Sequence, residues 1–341
     1  MGEYARSLAI ARGCIERWPQ AQLHFVLSRQ APYAASVPFP ATLLDASPTF
    51  HSAAVIALMQ EFRPSIVVFD NAGRTAQLRA ARARGARVVF ISARRRQRRK
   101  AFRFRWLGLI DEHWIAYPEF IAGGLSFIER LKLTLHAGTR IRFLDVILSR
   151  ATAAATAPHF AADSFLLLVP GGGTGHPRAR DAVDKFLRAA RVLAAQGIAT
   201  VFVGAGDAAQ RQAAPGDARL HCVGPLPQAE LAQLLRDARL VVANGGSTLL
   251  QGLASGAACI AVPIAKDQDQ RIARCVDAAV VVAAALDADS IAAVTSRLWN
   301  DAAQRAALAQ RARALRLADG VQVALEGLSR LAEPRPDVAV L

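Results

Sequence analysis

The chain has 341 residues, of which 53% are hydrophobic and 20% charged, and its formal net charge is +15. Its length predicts two domains, its composition excludes a disordered chain, and no stretch approaches the roughly 18 apolar residues of a membrane-spanning helix. The opening residues contain no apolar signal core, and the four scattered cysteines form no metal-binding pattern. We therefore expect a cytosolic protein without a metal or cofactor, whose positive charge favours anionic partners.

The chain opens with a helical pattern directly after Gly2, with Tyr4, Leu8 and Ile15 on one side. A doubly wound domain normally opens with a strand, a glycine turn and then a helix. Either the first strand is absent from this version of the chain or the start is wrongly placed. In both cases we expect a central strand position to be empty.

Short aliphatic runs then alternate with Ala-, Arg- and Leu-rich amphipathic segments, a pattern typical of parallel βαβ units. Two such series flank Ser149–Asp163, which predicts a linker. We therefore expect two α/β domains, residues 1–150 and 151–331, and a tail at 332–341. The candidate strands are Leu23–Leu27, Ile66–Phe69, Val88–Ile91, His113–Ile115, Phe165–Val169, Ala199–Val203, Leu220–Val223, Leu240–Ala243, Cys259–Val262 and Val280–Val282.

Residues 94–105 contain eight cations and no acid, interleaved with aromatic rings. Such a segment suits an anionic membrane face or a lipid-linked or phosphorylated acceptor at the inner membrane surface. A solvated loop is the alternative, and no RNA-binding motif accompanies the run, so we expect no nucleic-acid partner. The residues predicted to make these contacts are Arg94, Arg95, Arg96, Arg98, Arg99, Lys100, Phe102, Phe104 and Trp106.

Phe165–Val169 runs into a glycine-rich turn, Gly171–Gly175, and then into a helix. Glycines allow a close backbone approach to a ligand, and the free amides of such a turn attract phosphate. The turn lacks the lysine of a P-loop and the Gly-x-Gly-x-x-Gly spacing of a dinucleotide fold. A tight turn without a ligand is therefore the alternative.

A second strand, Leu240–Ala243, ends at Asn244 and Gly245–Gly246. Ser247–Thr248 follow, which suit a helix N-cap and can donate to phosphate, and a polar cluster, Asp267–Gln270, comes after the next strand. Such elements gather at the carboxyl ends of the strands in doubly wound sheets. The two turns therefore predict one ligand site.

The segment 240–273 resembles the donor-binding region of GT-B nucleotide-sugar enzymes, a group that includes the lipid-linked N-acetylglucosaminyltransferase of peptidoglycan synthesis and the UDP-sugar hydrolase of pseudaminic acid synthesis. The resemblance continues through Gly171–His176 and Val223–Pro227. Gly2–Leu8 is similar to the Gly-His-x-x-Arg-x-Leu opening of their acceptor-side helix. The resemblance implies a GT-B fold, in which two Rossmann-like doubly wound domains face a central cleft. It also implies a nucleotide-sugar donor, and the enzymes that the chain resembles point to a UDP-sugar.

The resemblance also assigns residues to parts of the donor. It places Gly224 and Leu226 near uracil, and Asp269 and Gln270 at the sugar hydroxyls. Gln251 stands where these enzymes have a Glu that binds the ribose, and an amide hydrogen-bonds a diol more weakly than a carboxylate does. The residues that it assigns to the diphosphate are Gly171, Gly172, Gly173, Thr174, Gly175, Gly245, Gly246, Ser247 and Thr248.

Three residues are candidates for the catalytic base. Glu3 replaces the histidine of the opening motif, Asp70 follows a predicted strand end, and His176 lies in the first glycine turn. A base must reach the acceptor hydroxyl or a water molecule. For Glu3 the alternative is a solvated side chain.

Three functions follow from these patterns. The first is a metal-independent, inverting glycosyltransferase with a glycan or lipid-linked acceptor. The second is a UDP-sugar hydrolase, which the match at Gly2–Leu8 favours. The third is a non-catalytic nucleotide-sugar-binding protein, which the missing strand, Glu3 and Gln251 favour.

Overall fold

The computed structural model describes residues 2–136, 138–148, 160–171, 177–204 and 219–333. These residues divide into two compact units. The N-terminal unit combines residues 2–145 with residues from 319 onward, and the C-terminal unit comprises residues 146–318. Most of the predicted linker and all of the tail beyond residue 333 lie outside the described residues.

Strands and helices alternate along both units. The strands are β1 (Phe25–Ser28), β2 (Ala41–Leu44), β3 (Ile66–Asp70), β4 (Arg87–Ser92), β5 (Glu112–Ile115), β6 (Arg140–Phe143), β7 (Leu166–Val169), β8 (Thr200–Val203), β9 (Leu220–Val223), β10 (Leu240–Asn244), β11 (Cys259–Val262) and β12 (Val281–Ala283). The helices are α1 (Gly2–Arg17), α2 (Ser52–Phe62), α3 (Thr75–Ala83), α4 (Arg95–Ala101), α5 (Phe104–Leu107), α6 (Glu119–Ala122), α7 (Phe127–Leu135), α8 (Pro177–Ala195), α9 (Gln228–Asp237), α10 (Ser247–Ala254), α11 (Lys266–Asp277), α12 (Ala288–Asn300), α13 (Ala302–Ala314) and α14 (Gly320–Ala332).

The C-terminal unit is built on one parallel sheet with the order β12-β11-β10-β7-β8-β9. The chain starts in the middle at β7, builds outward through β8 and β9, and then returns to add β10, β11 and β12 on the other side. This is the doubly wound Rossmann order. The residues of β7, β10 and β11 are all buried, because helices cover both faces of such a sheet.

The N-terminal unit has parallel strands in two separate groups, β1-β2 and β3-β4-β5-β6. One hydrophobic core joins the groups. Val26 of β1 and Val67 of β3 both pack against a buried cluster that includes Val55 and Met59 of α2. The two groups therefore belong to one body although they share no backbone pairing.

The last helix, α14, packs in the N-terminal unit, whereas the sequence placed residues 320–331 in the C-terminal domain. Buried Glu112 on β5 accepts hydrogen bonds from Trp114 Nε1 at 2.6 Å, Arg142 Nε at 2.9 Å and Arg330 Nη2 of α14 at 3.0 Å. A Cβ atom at Gly327 would lie 2.6 Å from Glu112 Oε2, so glycine lets the helix approach. This long-range contact leaves no signal in the local sequence of α14.

All ten predicted strands are present, with ends within two residues of those expected. The sequence missed β2 and β6. Both lie at the edge of their group, where fewer side chains are buried. Their apolar runs are correspondingly weak: Ala41 of β2 is exposed, and β6 reads Arg-Ile-Arg-Phe.

Candidate functional site

The candidate donor site lies in the C-terminal unit, where the strand order reverses. β7 and β10 are neighbours with Val169 opposite Ala243, and the chain continues from them to opposite sides of the sheet. One glycine turn follows each strand, at Gly171 and at Gly245–Gly246. Ligands of doubly wound sheets bind at this position.

The side chain of Asn244 connects the two turns. Its Nδ2 donates to the carbonyl oxygen of Pro170 at 2.6 Å, and its Oδ1 accepts from the amide of Gly246 at 2.6 Å. A Cβ atom at Gly171 would lie 1.9 Å from Nδ2, and one at Gly246 would lie 2.4 Å from Oδ1. Gly171 also has a φ of 82°, which disfavours other residues. Both turns therefore need glycine where the buried amide crosses between them.

Two buried side chains of α11 form hydrogen bonds to the backbone of the second glycine turn, at Gly245. Gln268 Oε1 accepts from the amides of Gly245 at 3.1 Å and Ile264 at 3.0 Å. Arg271 donates to the carbonyl oxygen of Gly245. The sequence patterns gave Asn244 and Gln268 no role and missed Arg271, because their partners lie on other strands and turns.

α10 begins directly after the second turn. Its N-cap is Gly246, and no side chain caps it in the described structure. Ser247 and Thr248 lie inside the first helical turn, so their expected N-cap role is wrong. Since the first amides of a helix have no partner within the helix, this uncapped start suits an anion.

Gln251, one turn into α10, connects the helix to the loop after β9. Its Nε2 donates to the carbonyl oxygen of Ile147 at 3.1 Å and to Gln228 Oε1 at 3.0 Å. Gln228 opens α9 directly after the loop that carries Gly224 and Leu226. The structure thus brings the predicted ribose residue beside the predicted uracil loop. A carboxylate could not donate these two bonds, which gives the glutamine a structural reason.

The other predicted donor residues are placed only in part. Asp269 and Gln270 are exposed near the start of α11. Gly172, Gly173, Thr174, Gly175 and His176 lie outside the described residues.

A second polar cluster lies in the N-terminal unit, between the start of α1 and the end of β3. Arg6 donates from Nη2 and Nε to the two carboxylate oxygens of Asp70 at 2.5 Å and 3.1 Å, and Ser7 Oγ donates to Asp70 at 3.0 Å. Burial raises the pKa of Asp70, and nearby Glu3 adds to this, whereas Arg6 opposes it. Because both of its oxygens are bonded, Asp70 fixes α1 to β3.

Glu3 belongs to the same cluster but is more accessible. Its Oε1 accepts from Asn71 Nδ2 at 2.7 Å, and Arg94 Nη2 lies 3.9 Å from that oxygen. Asn71 has a φ of 54°, and its Oδ1 accepts from the amide of Ala93 at 2.7 Å. The side chain of Glu3 is 47% exposed. Glu3 is therefore oriented by one hydrogen bond through Oε1 and remains partly accessible.

The basic segment does not present all of its predicted contact residues. Arg98 is buried and donates to Glu129 and to the carbonyl oxygens of 122–124, while Phe102 and Trp106 are buried in the core. Lys100 is half-buried and donates to the Gly73 carbonyl oxygen at 2.8 Å. The expected membrane contact of Arg98, Phe102 and Trp106 is therefore wrong. Exposed members of the set are Arg94, Arg95, Arg96, Arg99 and Phe104.

A more extensive apolar surface lies on α7, which sequence reasoning did not single out. We call it the α7 surface. Its exposed large hydrophobic residues are Phe127 (80% exposed), Ile128 (63%), Leu131 (49%) and Leu135 (65%), and Phe104 of α5 (50%) lies beside them. Lys132 lies 5.4 Å over the Phe104 ring, and Arg130 is exposed on the same helix. Ile128, Leu131 and Leu135 follow one another at spacings of three and four residues along α7. This helical spacing is the sequence signal that could have identified the α7 surface.

Three further searches, for a cavity, a metal site and a membrane-spanning helix, give no additional candidate site within the described residues. A shallow cavity is lined by Arg82, Asp111 and Gly138 at the amino ends of β5 and β6. It lies away from Asp70, which is at the carboxyl end of β3. Arg82 and Asp111 form an ion pair at 2.8 Å in its lining. No group of three or more possible metal ligands occurs within the described residues. In the same part of the chain, no helix combines the length and apolarity needed to cross a membrane.

Comparisons with known proteins concern the fold. No family model matches the chain, and no curated protein matches it. Among solved structures, MurG from Acinetobacter baumannii is 16% identical, with 96% of each chain covered and a TM-score of 0.66. UGT2 from Phytolacca americana, complexed with UDP-2-fluoro-glucose and pterostilbene, is 11% identical, with 97% of each chain covered and a TM-score of 0.66.

This chain has the GT-B fold. The expected α/β architecture is thereby confirmed. The same fold includes a putative UDP-N-acetylglucosamine 2-epimerase from Listeria monocytogenes, which is 14% identical with a TM-score of 0.60 over 99% of this chain and 96% of that chain. At such identities the likeness shows the fold, and the reaction has to be argued from the residues of the site.

Proposed function

We propose that the chain is a glycosyltransferase that moves a sugar from a UDP-sugar to an acceptor. The observation that carries the proposal is the Asn244 link between the two glycine turns at the switch point of the C-terminal sheet. It holds the start of α10 beside the turn that follows β7. A diphosphate is the anion that suits two such turns at once, because each can bind one phosphate through backbone amides.

The proposed catalysis needs no metal. The amides at the start of α10 stabilise the leaving diphosphate as its charge develops, and the helix dipole adds about 0.3–1 kcal/mol. Ser247 and Thr248 donate to the same phosphates. The side-chain oxygen of Gln251, Oε1, accepts from the ribose hydroxyls, while its Nε2 is already bonded to protein oxygens. Gly224 and Leu226 contact the base.

Glu3 is the proposed base that takes the proton of the acceptor hydroxyl. Its hydrogen bond to Asn71 orients the carboxylate and leaves one oxygen for the substrate. We do not assign this role to Asp70, because its side chain is nearly buried and Arg6 and Ser7 hold it in place. Asp70 acts as a positioning residue, which fixes the first turn of α1.

Turnover of a panel of UDP-sugars, with and without mixed glycan and lipid-linked acceptors, tests the proposal. We expect UDP release that depends on acceptor, and a loss of about 10²–10⁴-fold for Glu3→Gln, in which the amide oxygen can still accept from Asn71. UDP binding should be unchanged in this variant. Acceptor-independent release of sugar would indicate a hydrolase instead, and binding without any turnover would indicate a non-catalytic protein.

The proposed acceptor is lipid-linked and reaches the N-terminal unit at an anionic membrane. The α7 surface supports this, because its exposed rings and aliphatic side chains are accompanied by Arg130, Lys132 and the exposed arginines of the basic segment. Apolar groups enter the interface of a bilayer while cations bind the headgroups.

Sedimentation with phosphatidylglycerol and phosphatidylcholine vesicles tests this acceptor side. The wild-type chain should bind the anionic vesicles preferentially, and Phe127→Ser with Leu131→Ser should abolish binding. Phe50→Ser is the matched control, because Phe50 is 71% exposed but lies outside α7. Equal loss in the control, or no binding by the wild type, would contradict the membrane assignment.

A further inference from the structure

Tyr33 lies beside the proposed base, on the loop that follows β1. This loop begins at the carboxyl end of its strand, as Asp70 and Asn71 stand at the carboxyl end of β3. The rings of Tyr33 and Tyr4 stack face to face, with centroids 4.0 Å apart and planes 4° from parallel. Because Tyr4 directly follows Glu3, the stack brings the loop to the start of α1.

The backbone around Tyr33 is held by consecutive turns. The amide of Ala34 donates to the carbonyl oxygen of Ala31 at 2.9 Å. The amide and the Oγ of Ser36 both donate to the carbonyl oxygen of Tyr33 at 3.1 Å. Pro32 precedes Tyr33 and restricts the loop further. The turns and the stacked ring therefore give the Tyr33 side chain a defined place.

The hydroxyl of Tyr33 is a donor that no described residue uses. The side chain is half-buried, and Oη forms no hydrogen bond within the described residues. Burial raises the pKa of Tyr33, and the neighbouring Glu3, Tyr4 and Asp70 raise it further. The phenol therefore keeps its proton at neutral pH and presents a neutral donor next to the base.

A donor beside the base suits an oxygen of the acceptor other than the attacking one. The attacking hydroxyl gives its proton to Glu3, and a hydrogen bond donated to its oxygen would weaken the nucleophile. An oxygen on the adjacent carbon has no such conflict. Sugars carry oxygens on adjacent carbons, whereas simple alcohols and phenols do not.

We propose that Tyr33 selects the acceptor by donating its hydroxyl proton to an oxygen on the carbon next to the reacting hydroxyl group. The acceptor class is therefore a sugar with an oxygen substituent beside the position of transfer, and not an isolated alcohol or a phenol. The proposal rests on the proposed transfer reaction and on Glu3 as its base. An acceptor without the adjacent oxygen leaves the phenol unpaired and is selected against for that reason.

The kinetics of Tyr33→Phe with the glycan acceptors of the panel test the proposal. Tyr4→Phe is the matched control, because it keeps the stacked ring and removes a hydroxyl that is buried and has no hydrogen-bond partner within the described residues. We expect the acceptor KM of Tyr33→Phe to rise about 3–10-fold, the size of one neutral hydrogen bond, with kcat and UDP affinity nearly unchanged. Tyr4→Phe should keep the acceptor KM of the wild type.

Monodeoxy analogues of the best glycan acceptor identify the oxygen that Tyr33 contacts. One analogue should have a raised KM with the wild type and show no further rise with Tyr33→Phe, because the same hydrogen bond is already lost. An unchanged acceptor KM in Tyr33→Phe, an equal rise in Tyr4→Phe, or additive losses for every analogue would overturn the proposal.

The proposed transfer fails separately, if the wild type shows no acceptor-dependent turnover. Saturation-transfer NMR with methyl β-glucoside and its monodeoxy analogues then measures sugar binding without turnover. Transfer to the glucoside that Tyr33→Phe loses and Tyr4→Phe keeps supports the Tyr33 contact. No transfer with the wild type, or equal transfer with Tyr33→Phe, contradicts it.

Discussion

Gly171 shows how one residue combines two requirements of the donor site. Its φ is 82°, and a Cβ atom there would lie 1.9 Å from Asn244 Nδ2. Gly197 has a similar φ of 88°, but a Cβ atom there would meet nothing within 4 Å beyond its chain neighbours, so it isolates the backbone cost. Alanine at either position should lower the free energy of unfolding by about 1 kcal/mol through the backbone alone.

We expect Gly171→Ala to lose nucleotide binding, because the methyl group displaces the side chain that connects the two turns. Gly197→Ala should bind normally. Chemical unfolding and calorimetry with UDP separate the two effects. Equal nucleotide affinity in the two variants would show that the close approach at Gly171 has no part in binding.

Gln251 stands where the sequence resemblance leads us to expect a glutamate, and its contacts give the amide a structural role. Gln251→Glu would remove both donated hydrogen bonds and set a carboxylate against the carbonyl oxygen of Ile147, whereas the amide of Gln228 can turn to donate from its Nε2. We expect a loss of about 1–3 kcal/mol in the free energy of unfolding. Gln228→Lys added to Gln251→Glu should recover part of the loss by supplying a cation. A single variant as stable as the wild type in urea would contradict the assigned contacts.

His113 predicts how stability changes with pH. Burial, with a smaller effect of Arg98, lowers its pKa from 6.5 to about 3. Because the unfolded chain binds this proton more readily, its contribution to stability is complete above pH 6.5 and is lost as the pH falls from 6.5 towards 3. The loss is at most about 1.4 kcal/mol per pH unit.

Urea unfolding of the wild type and His113→Gln at pH 7 and pH 5 checks this effect. The variant cannot take up the proton, so its free energy of unfolding should fall less than that of the wild type between the two pH values, by up to about 2 kcal/mol. Parallel losses in the two proteins would show that other groups control the acid response.

At the scale of elements, α14 is held in the N-terminal unit by Glu112. Its carboxylate is 1% exposed and accepts from Arg142 and Arg330. Glu112→Ala leaves both guanidinium groups without their partner, so we expect a loss of about 3–5 kcal/mol in the free energy of unfolding. Glu326→Ala, an exposed change on α14 itself, should stay within about 0.5 kcal/mol of the wild type. Similar losses for the two variants would contradict a specific role of Glu112.

The strands and glycine turns were easier to predict from the sequence than the long-range contacts that their side chains make. The buried strands β4, β7, β10 and β11 are apolar runs and were found, whereas the edge strands β2 and β6 bury too few side chains to give that signal. The run of cations at 94–105 suggested an exposed segment, but Arg98, Phe102 and Trp106 are buried through contacts with distant residues. The glycine turns were visible in the sequence, and the side chains that connect them were not.

At the scale of the whole molecule, two units repeat one plan of parallel strands and covering helices, and the chain has the GT-B fold. The C-terminal unit has its strands in one doubly wound sheet, while the described strands of the N-terminal unit form two parallel groups. The proposed donor site depends on the C-terminal sheet, since the pairing of β7 with β10 brings two glycine turns to one place.

Calorimetric titration of UDP and UMP into the wild type and Asn244→Asp tests this central claim most directly. The variant keeps the shape of the side chain but loses the donor to Pro170 and adds a negative charge beside the turns. We predict that UDP binds the wild type at least about tenfold more tightly than UMP, and that the variant loses most of this difference, about 1.4 kcal/mol per factor of ten. Equal affinities for UDP and UMP in the wild type, or an unchanged preference in the variant, would contradict a diphosphate site at these turns.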